Sequence, residues 1–374
     1  MTEPQTEEQV RQDPATPPTR PAGGPATGST ATAVAPASPP KLPMLVMSVV
    51  ARYNLLVLLL ASIAVYGLWD KTSAIFLTTP NFRNIVGNES VLAVLTLGLL
   101  LPLIAGQFDL SVGNVAGLAS IISAASYANW GFPLWAGVLV GIAVGGIVGM
   151  VNGLIITRLR VDPFITTLGT ASIVIGVVEW YTNGLSIVQG VPASLISFGS
   201  GNWLGVPSTL YALVLVALVV YYVLDHTPYG RSLNAIGVNR DAARLVGIKV
   251  NRAILISFIV SGVGAGIAGV LLLARSGAGN PQVGSSFTLL AIASAFLGAT
   301  SFRPGRVNVP GTLVAIFFLA VNITGLTFAG VPNYINDLFT GAALVLAVAF
   351  ATVLSRRRRV RATAGEPTSD PTTA

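Results

Sequence analysis

Between residues 44 and 355, apolar runs of roughly 16 to 24 residues follow one another with short polar breaks. A helix needs about 20 apolar residues to cross ~30 Å of hydrocarbon, whereas a tilted membrane strand needs only about 10. Backbone in lipid must also satisfy its own hydrogen bonds. The repeated run length therefore predicts an all-α polytopic membrane protein. Charge supports this, since only 9% of the 374 residues are charged and 53% are hydrophobic, against about 25% charged in a water-soluble domain. The expected spans are about 53–69, 90–108, 113–128, 133–156, 164–181, 208–224, 253–274, 285–300, 310–328 and 335–354, or about ten helices. Only Gln107 to Ser111 separate the second from the third, and the eighth is short. Nine spans with one re-entrant segment fit the same pattern.

The ends differ from this body. Residues 1–43 carry ten prolines among Ala, Thr, Gly and Ser, a composition that cannot offset the entropy of ordering and predicts a disordered cytoplasmic tail. Glu3, Glu7 and Glu8, with no apolar run close behind, are unlike a secretory signal. Residues 356–374 read as a basic, then polar, cytoplasmic tail, leaving 44–355 as the transmembrane domain. Cysteine is absent and His226 is the one histidine, which excludes disulfides, thiolate sites and multi-histidine metal sites. The net charge of +7 does not mark a nucleic-acid reader, because the basic residues lie in loops between apolar runs. With the N-terminus inside, sixteen Lys and Arg from Lys41 onward face the cytoplasm and three, Lys71, Arg83 and Arg275, face outward. Cytoplasmic loops keep an excess of these residues, so both termini are expected in the cytoplasm.

A repeat is also visible. Val112-Gly113 opens the third span, Asn152 follows Gly113 by 39 residues and Pro163 by 11 more; Val283-Gly284 opens the eighth, with Asn322 38 after Gly284 and Pro332 10 further. The first Asn-to-Pro loop carries Arg158 and Arg160, whereas the second is uncharged. The two copies then face opposite sides, as in transporters built from two inverted halves, here of five helices each. The competing reading is chance recurrence, for which 40 glycines leave room.

The source of energy is less explicit. Lys41, Lys71 and Lys249 are the only lysines and none follows a glycine, so no phosphate-cradling loop is encoded and any ATP must be used by a partner. Ion coupling calls for ionisable groups in the spans; Asp109, Glu179 and Asp337 all fall near span ends, where caps are commoner than relays. An ion-coupled secondary transporter of a small polar solute is the alternative reading. A membrane enzyme would need a cluster of acids, bases or ligands that the sequence does not show.

The longest cytoplasmic loop, 225–252, is the most informative segment. Asn239 is a good N-cap, Asp241 sits in the first turn, Ala242 and Ala243 favour helix and Gly247 is a natural stop, which predicts a helix of about two turns. Gly230 and Gly237 are expected to supply bends on the approach. So short a helix is marginal in water and needs a docking surface; the alternative is a basic loop on anionic lipid.

This loop resembles the cytoplasmic coupling segment of permease subunits in the ribose-type, or simple-sugar, family of bacterial ABC importers. The match runs through Thr227, Tyr229, Gly230, Arg231, Ala235, Gly237, Asn239, Ala242, Ala243, Gly247 and Ile248. Asp109 to Gly113, Asn152-Gly153-Leu154, Pro163-Phe164-Ile165, Thr167 to Thr170, Leu297-Gly298 and Thr300-Ser301 follow the family's order, over roughly residues 80 to 350. The chain departs from the pattern at Gly106-Gln107-Phe108, at Asp162 and at Phe302 to Arg306. The resemblance implies a non-enzymatic permease for a monosaccharide or related polyol. It implies as partners an ABC ATP-binding subunit carrying ATP and Mg, an extracytoplasmic solute-binding protein and a second permease copy. This chain would bind no cofactor, and Gly230, Arg231, Gly237, Asn239, Arg240, Ala242, Ala243 and Gly247 would form the ATPase-coupling loop.

Gln107, Phe108, Asp109, Asn152 and Asn322 are candidate pathway residues. Asp109 can cap the third span through amides near Ser111 and Val112, or hold a broken helix at the pathway. Asn152 and Asn322 can bond between helices or to sugar. Trp180 and Tyr181 fit an interfacial belt. The small residues Ser261, Gly262, Gly264, Ala265, Gly266 and Gly269 permit a close helix contact, within the chain or with a second copy.

Overall fold

A computed structural model describes residues 52–349 apart from 333, 337 and 347. The tails 1–43 and 356–374, and Asp337, lie outside the described residues. The helices are α1 (Asn54–Leu68), α2 (Ser73–Phe76), α3 (Thr79–Ile104), α4 (Val112–Ala128), α5 (Leu134–Leu154), α6 (Pro163–Thr182), α7 (Ala193–Ser200), α8 (Ser208–His226), α9 (Pro228–Val238), α10 (Arg240–Leu245), α11 (Val250–Ser276), α12 (Val283–Gly298) and α13 (Val309–Phe328). A further apolar helix, α14, covers Tyr334–Leu346. Among the described residues, strand is confined to a small antiparallel hairpin, β1 (Asn202–Trp203) and β2 (Val206–Pro207), and one isolated bridge between Ile187 and Gly279. Among the described residues six helices, namely α3, α5 with its extension to Leu159, α6, α8, α11 and α13, are long and apolar enough to cross a membrane, and α1, α4, α12 and α14 are shorter apolar helices.

Most expected spans coincide with helices to within a few residues, and two differ instructively. The second begins at Thr79 rather than near residue 90 and stops at Ile104, so Gln107 and Phe108 are not helical. Hydropathy fades before Asn84, Asn88 and Glu89, but the helix continues because Arg275 bonds Asn84 and Asn88 on its surface. Pro80 in its first turn, where the missing N–H costs nothing, starts it. The fourth span continues as a π-helical turn, Ile155–Leu159, that ends at Arg160 with φ 60°. Asp162 then caps α6, its Oδ1 accepting from Phe164 N at 2.9 Å and Ile165 N at 3.3 Å.

The centre of the packing is α11, which lies against α3, α4 and α5. Its small residues serve three neighbours: Gly262 and Gly266 meet α5 of the same chain, where Gly145 and Gly149 are buried, while Gly264 approaches Gly98 on α3 and Gly269 approaches Ala116 on α4. A Cβ on Gly145 would stand 2.3 Å from Gly262 O. With no hydrophobic drive between helices in lipid, such backbone approach supplies the dispersion contacts that hold them.

Candidate functional site

Two breaks in the helical bundle shape the site. At the first, the chain leaves α3, turns at Gly106 (φ 74°) and enters α4. Asp109 lies between and is 3% exposed. Its Oδ1 accepts from Ser111 N at 3.1 Å and Ser111 Oγ at 2.6 Å, and its Oδ2 accepts from Ser261 Oγ on α11 at 2.8 Å. Ser111 Oγ in turn accepts from Asn152 Nδ2 at 3.0 Å, and Asn152 Oδ1 accepts from Thr170 Oγ1 at 2.6 Å. One buried carboxylate thus ties the break to α5, α6 and α11. The expected bond near Ser111 is present, and the bonds to Ser261 and Asn152 are the long-range part that local spacing does not reveal.

The other candidates separate around this centre. Gln107 is buried, with Nε2 donating to Ala105 O at 3.1 Å and Oε1 lacking a partner among the described residues. Phe108 is 41% exposed and stacks on Phe296, with centroids 6.0 Å apart. Asn322 is not in the network. Its Nδ2 donates to Phe318 O at 2.7 Å and to Ser62 Oγ on α1 at 3.2 Å. Glu179 and Trp180 are exposed on α6.

At the second break, before α12, Asn280 Oδ1 accepts from Gln282 N at 2.9 Å. Asn280 stands three residues before Val283, as Asp109 stands three before Val112, and each accepts from the amide two residues on. The helices they precede touch at their starts: a Cβ on Gly113 would lie 2.3 Å from Gly284 O, and one on Gly284 would lie 2.8 Å from Gly113 O. Gly113 N also donates to Thr288 Oγ1 at 3.1 Å. The sequence reading named the Val-Gly pairs and missed Asn280, whose only signal is its offset.

Below the first break lies the segment 225–252. Asn239 Oδ1 accepts from Asp241 N and Ala242 N, each at 3.0 Å. At the other end of α10, Gly247 adopts φ 84°, Gly247 N donates to Arg244 O and Ile248 N donates to Ala243 O, both at 3.0 Å. This six-to-one and five-to-two pairing is the glycine-terminated stop that the sequence encodes. Ala243 is buried and Ala242 exposed. Leu245 and Val246 protrude, 89% and 76% exposed, and were not singled out from the sequence.

Gly230 and Gly237 are not bends. Both lie inside α9, an amphipathic helix that Thr227 caps by accepting from Gly230 N at 3.3 Å. A Cβ at Gly230 would stand 2.1 Å from Leu224 O and one at Gly237 2.0 Å from Ile104 O, so the missing side chains let α9 press on the ends of α8 and α3. Tyr229 Oη donates to Ala253 O at 3.0 Å and ties α9 to α11. Arg231 is exposed beside a cavity that Asp225 and Arg303 also line, the last two forming an ion pair. Arg240 and Arg244 line a second cavity, of about 590 Å³, with Arg160 and Asp162. Burial, then the nearby Arg244, hold the Arg240 guanidinium below its ordinary value against the pull of Asp241.

Residues 81–348 match the family described as branched-chain amino acid transport system / permease component. The chain belongs to this permease family. The permease is 34% identical over 293 residues to the ribose import permease protein of Escherichia coli strain K12, covering 78% of this chain and 91% of that protein. It is 31% identical over 305 residues to the D-allose transport system permease protein of the same strain, covering 82% and 93%. It is 33% identical over 322 residues to that strain's galactose/methyl galactoside import permease protein, covering 81% and 94%. No solved structure matches. The permease is therefore a multi-pass membrane protein.

Proposed function

We propose that the permease carries a monosaccharide or related polyol across the cytoplasmic membrane as the translocating subunit of an ATP-binding cassette importer. The family name speaks of amino acids, but the relatives quoted above are named for ribose, allose and galactose, and their likeness extends over most of the chain. ATP and Mg would be bound by a partner ATPase, substrate would arrive on an extracytoplasmic binding protein, and a second permease copy would complete the pathway. The permease itself performs no covalent chemistry.

The observation that carries the reading is the joint formed by α9 and α10. Exposed Leu245 and Val246 present a docking tip for the ATPase, while Gly237 seats α9 on Ile104, five residues from Asp109. A push on α10 therefore reaches the buried network that joins α4, α5, α6 and α11. Both oxygens of Asp109 accept serine hydrogen bonds, which favours a structural anchor over an ion relay. Ten spans in two inverted halves, with both termini in the cytoplasm, accommodate the Gly113 to Gly284 contact and the matched Asp109 and Asn280 turns.

The test replaces Leu245 and Val246 together by Asp and follows membrane insertion, co-purification with the ATP-binding subunit and sugar uptake. Normal insertion with loss of the other two is expected. Full retention of both would remove the docking role.

A further inference from the structure

Glu89 was not among the acids that the sequence brought forward, because its helix was expected to begin after it. In the structure it is half-buried in α3 and lines a cavity of about 370 Å³ with Asn88, Leu272, Arg275, Phe287 and Leu290. We propose that this cavity is a polyol-binding site in which the Glu89 carboxylate accepts, and the Arg275 guanidinium donates, hydrogen bonds to ligand hydroxyls. The inference rests on the sugar-importer reading and deepens it.

Three observations converge. First, the Glu89 side chain has no hydrogen bond or ion pair among the described residues, although Arg275 lines the same cavity. Second, Arg275 is held in place by other groups. Its Nε donates to Asn88 Oδ1, its Nη1 to Gly199 O at 3.3 Å, and its Nη2 to Asn84 O at 3.4 Å and Asn84 Oδ1 at 3.3 Å. Gly87 lets the guanidinium lie on α3, since a Cβ there would stand 2.5 Å from Arg275 Cζ. A guanidinium has five N–H donors, so one on Nη1 remains for a ligand. Third, the cavity sets one acid and one guanidinium beside an apolar wall of Leu272, Phe287 and Leu290. An ion would meet one attractive and one repulsive group there. A neutral polyol meets an acceptor, a donor and a surface for its C–H face, the few-polar, mostly-apolar pattern of small-molecule sites.

The experiment uses the assembled importer. Proteoliposomes with ATP inside are first offered radiolabelled D-ribose, D-allose and D-galactose on loaded binding protein, to find the sugar that the wild type carries. Binding of that sugar to the purified permease–ATPase complex without binding protein is then measured by equilibrium dialysis. Glu89→Gln should weaken binding at least tenfold, Glu89→Asp should recover part of it, and Phe287→Ala should weaken it severalfold, with thermal midpoints near wild type. Glu89→Gln binding as wild type does, or Glu89→Asp being no better than Glu89→Gln, would overturn the site while leaving the importer reading intact. If the wild type carries none of the three, a wider panel of monosaccharides and polyols is offered, and carriage of no member overturns the importer reading and the site with it.

Discussion

The starts of α4 and α12 open on the same Val-Gly pair, touch at Gly113 and Gly284, and are each preceded by a side-chain turn three residues before the valine. They are anchored very differently. In the first, Asp109 is 3% exposed and reaches Ser261 directly and Asn152 through Ser111. In the second, Asn280 is half-exposed and its side chain accepts the local bond from Gln282 N. A shared local motif thus sets where a helix begins, and the surrounding partners decide how firmly. The first break is the more firmly anchored of the two, and the second is the looser.

Removing the two anchors measures this contrast most strongly. Asp109→Ala strands Ser111, Ser261 and, behind them, Asn152; hydrogen bonds to a charged acceptor contribute about 1.5–3 kcal/mol each, so a loss of about 3 kcal/mol or more is expected. Asn280→Ala should cost about 1 kcal/mol or less, one neutral bond near solvent. Thermal unfolding of the detergent-purified permease would show it, and equal shifts would erase the distinction. Next in size is the glycine contact between the two starts. Gly113→Ala forces a methyl against Gly284 O and Thr288 Oγ1, 2.3 and 2.5 Å away, an overpacking cost of about 1–3 kcal/mol. A Gly113→Ala, Gly284→Ala double variant should lose less than the sum of the singles, because both methyls strain the same contact.

The asparagines sharpen the comparison at smaller scale. Asn152→Ala breaks a buried relay between Ser111 and Thr170 and should cost about 1–2 kcal/mol, while Asn322→Ala, half-buried, should cost about 1 kcal/mol or less by the same thermal measurement. Smallest in global stability is Gly247→Ala. Its left-handed conformation disfavours a side chain by about 1–2 kcal/mol, but the strain falls on six residues of an exposed helix. Faster amide exchange confined to 240–245, with an unchanged global midpoint, is the expected signature.

Much of this was legible in the sequence where the physics is local. Run length placed most spans, and Asn239 and Gly247 fixed both ends of α10, because a cap and a left-handed stop are decided within a few residues. What was not legible depends on partners distant in the chain. Glu89 ended the hydropathy reading early, since nothing local says that Arg275 will shelter Asn84 and Asn88. Gly230 and Gly237 read as bends because a close approach to Leu224 and Ile104 cannot be seen from spacing. The small residues of α11 were visible, yet their division among α3, α4 and α5 was not. Asn322 matched Asn152 in spacing but not in partners, so the spacing alone overstated the likeness of the two positions.

The central claim is that this permease moves sugar when a partner hydrolyses ATP. Proteoliposomes holding the permease with its ATP-binding subunit, given ribose, allose or galactose on the binding protein, test it most directly. The account predicts accumulation that requires internal ATP, stops when the ATPase site is inactivated, and persists with a protonophore present. Accumulation that survives loss of the ATPase and collapses with the ion gradient would contradict it.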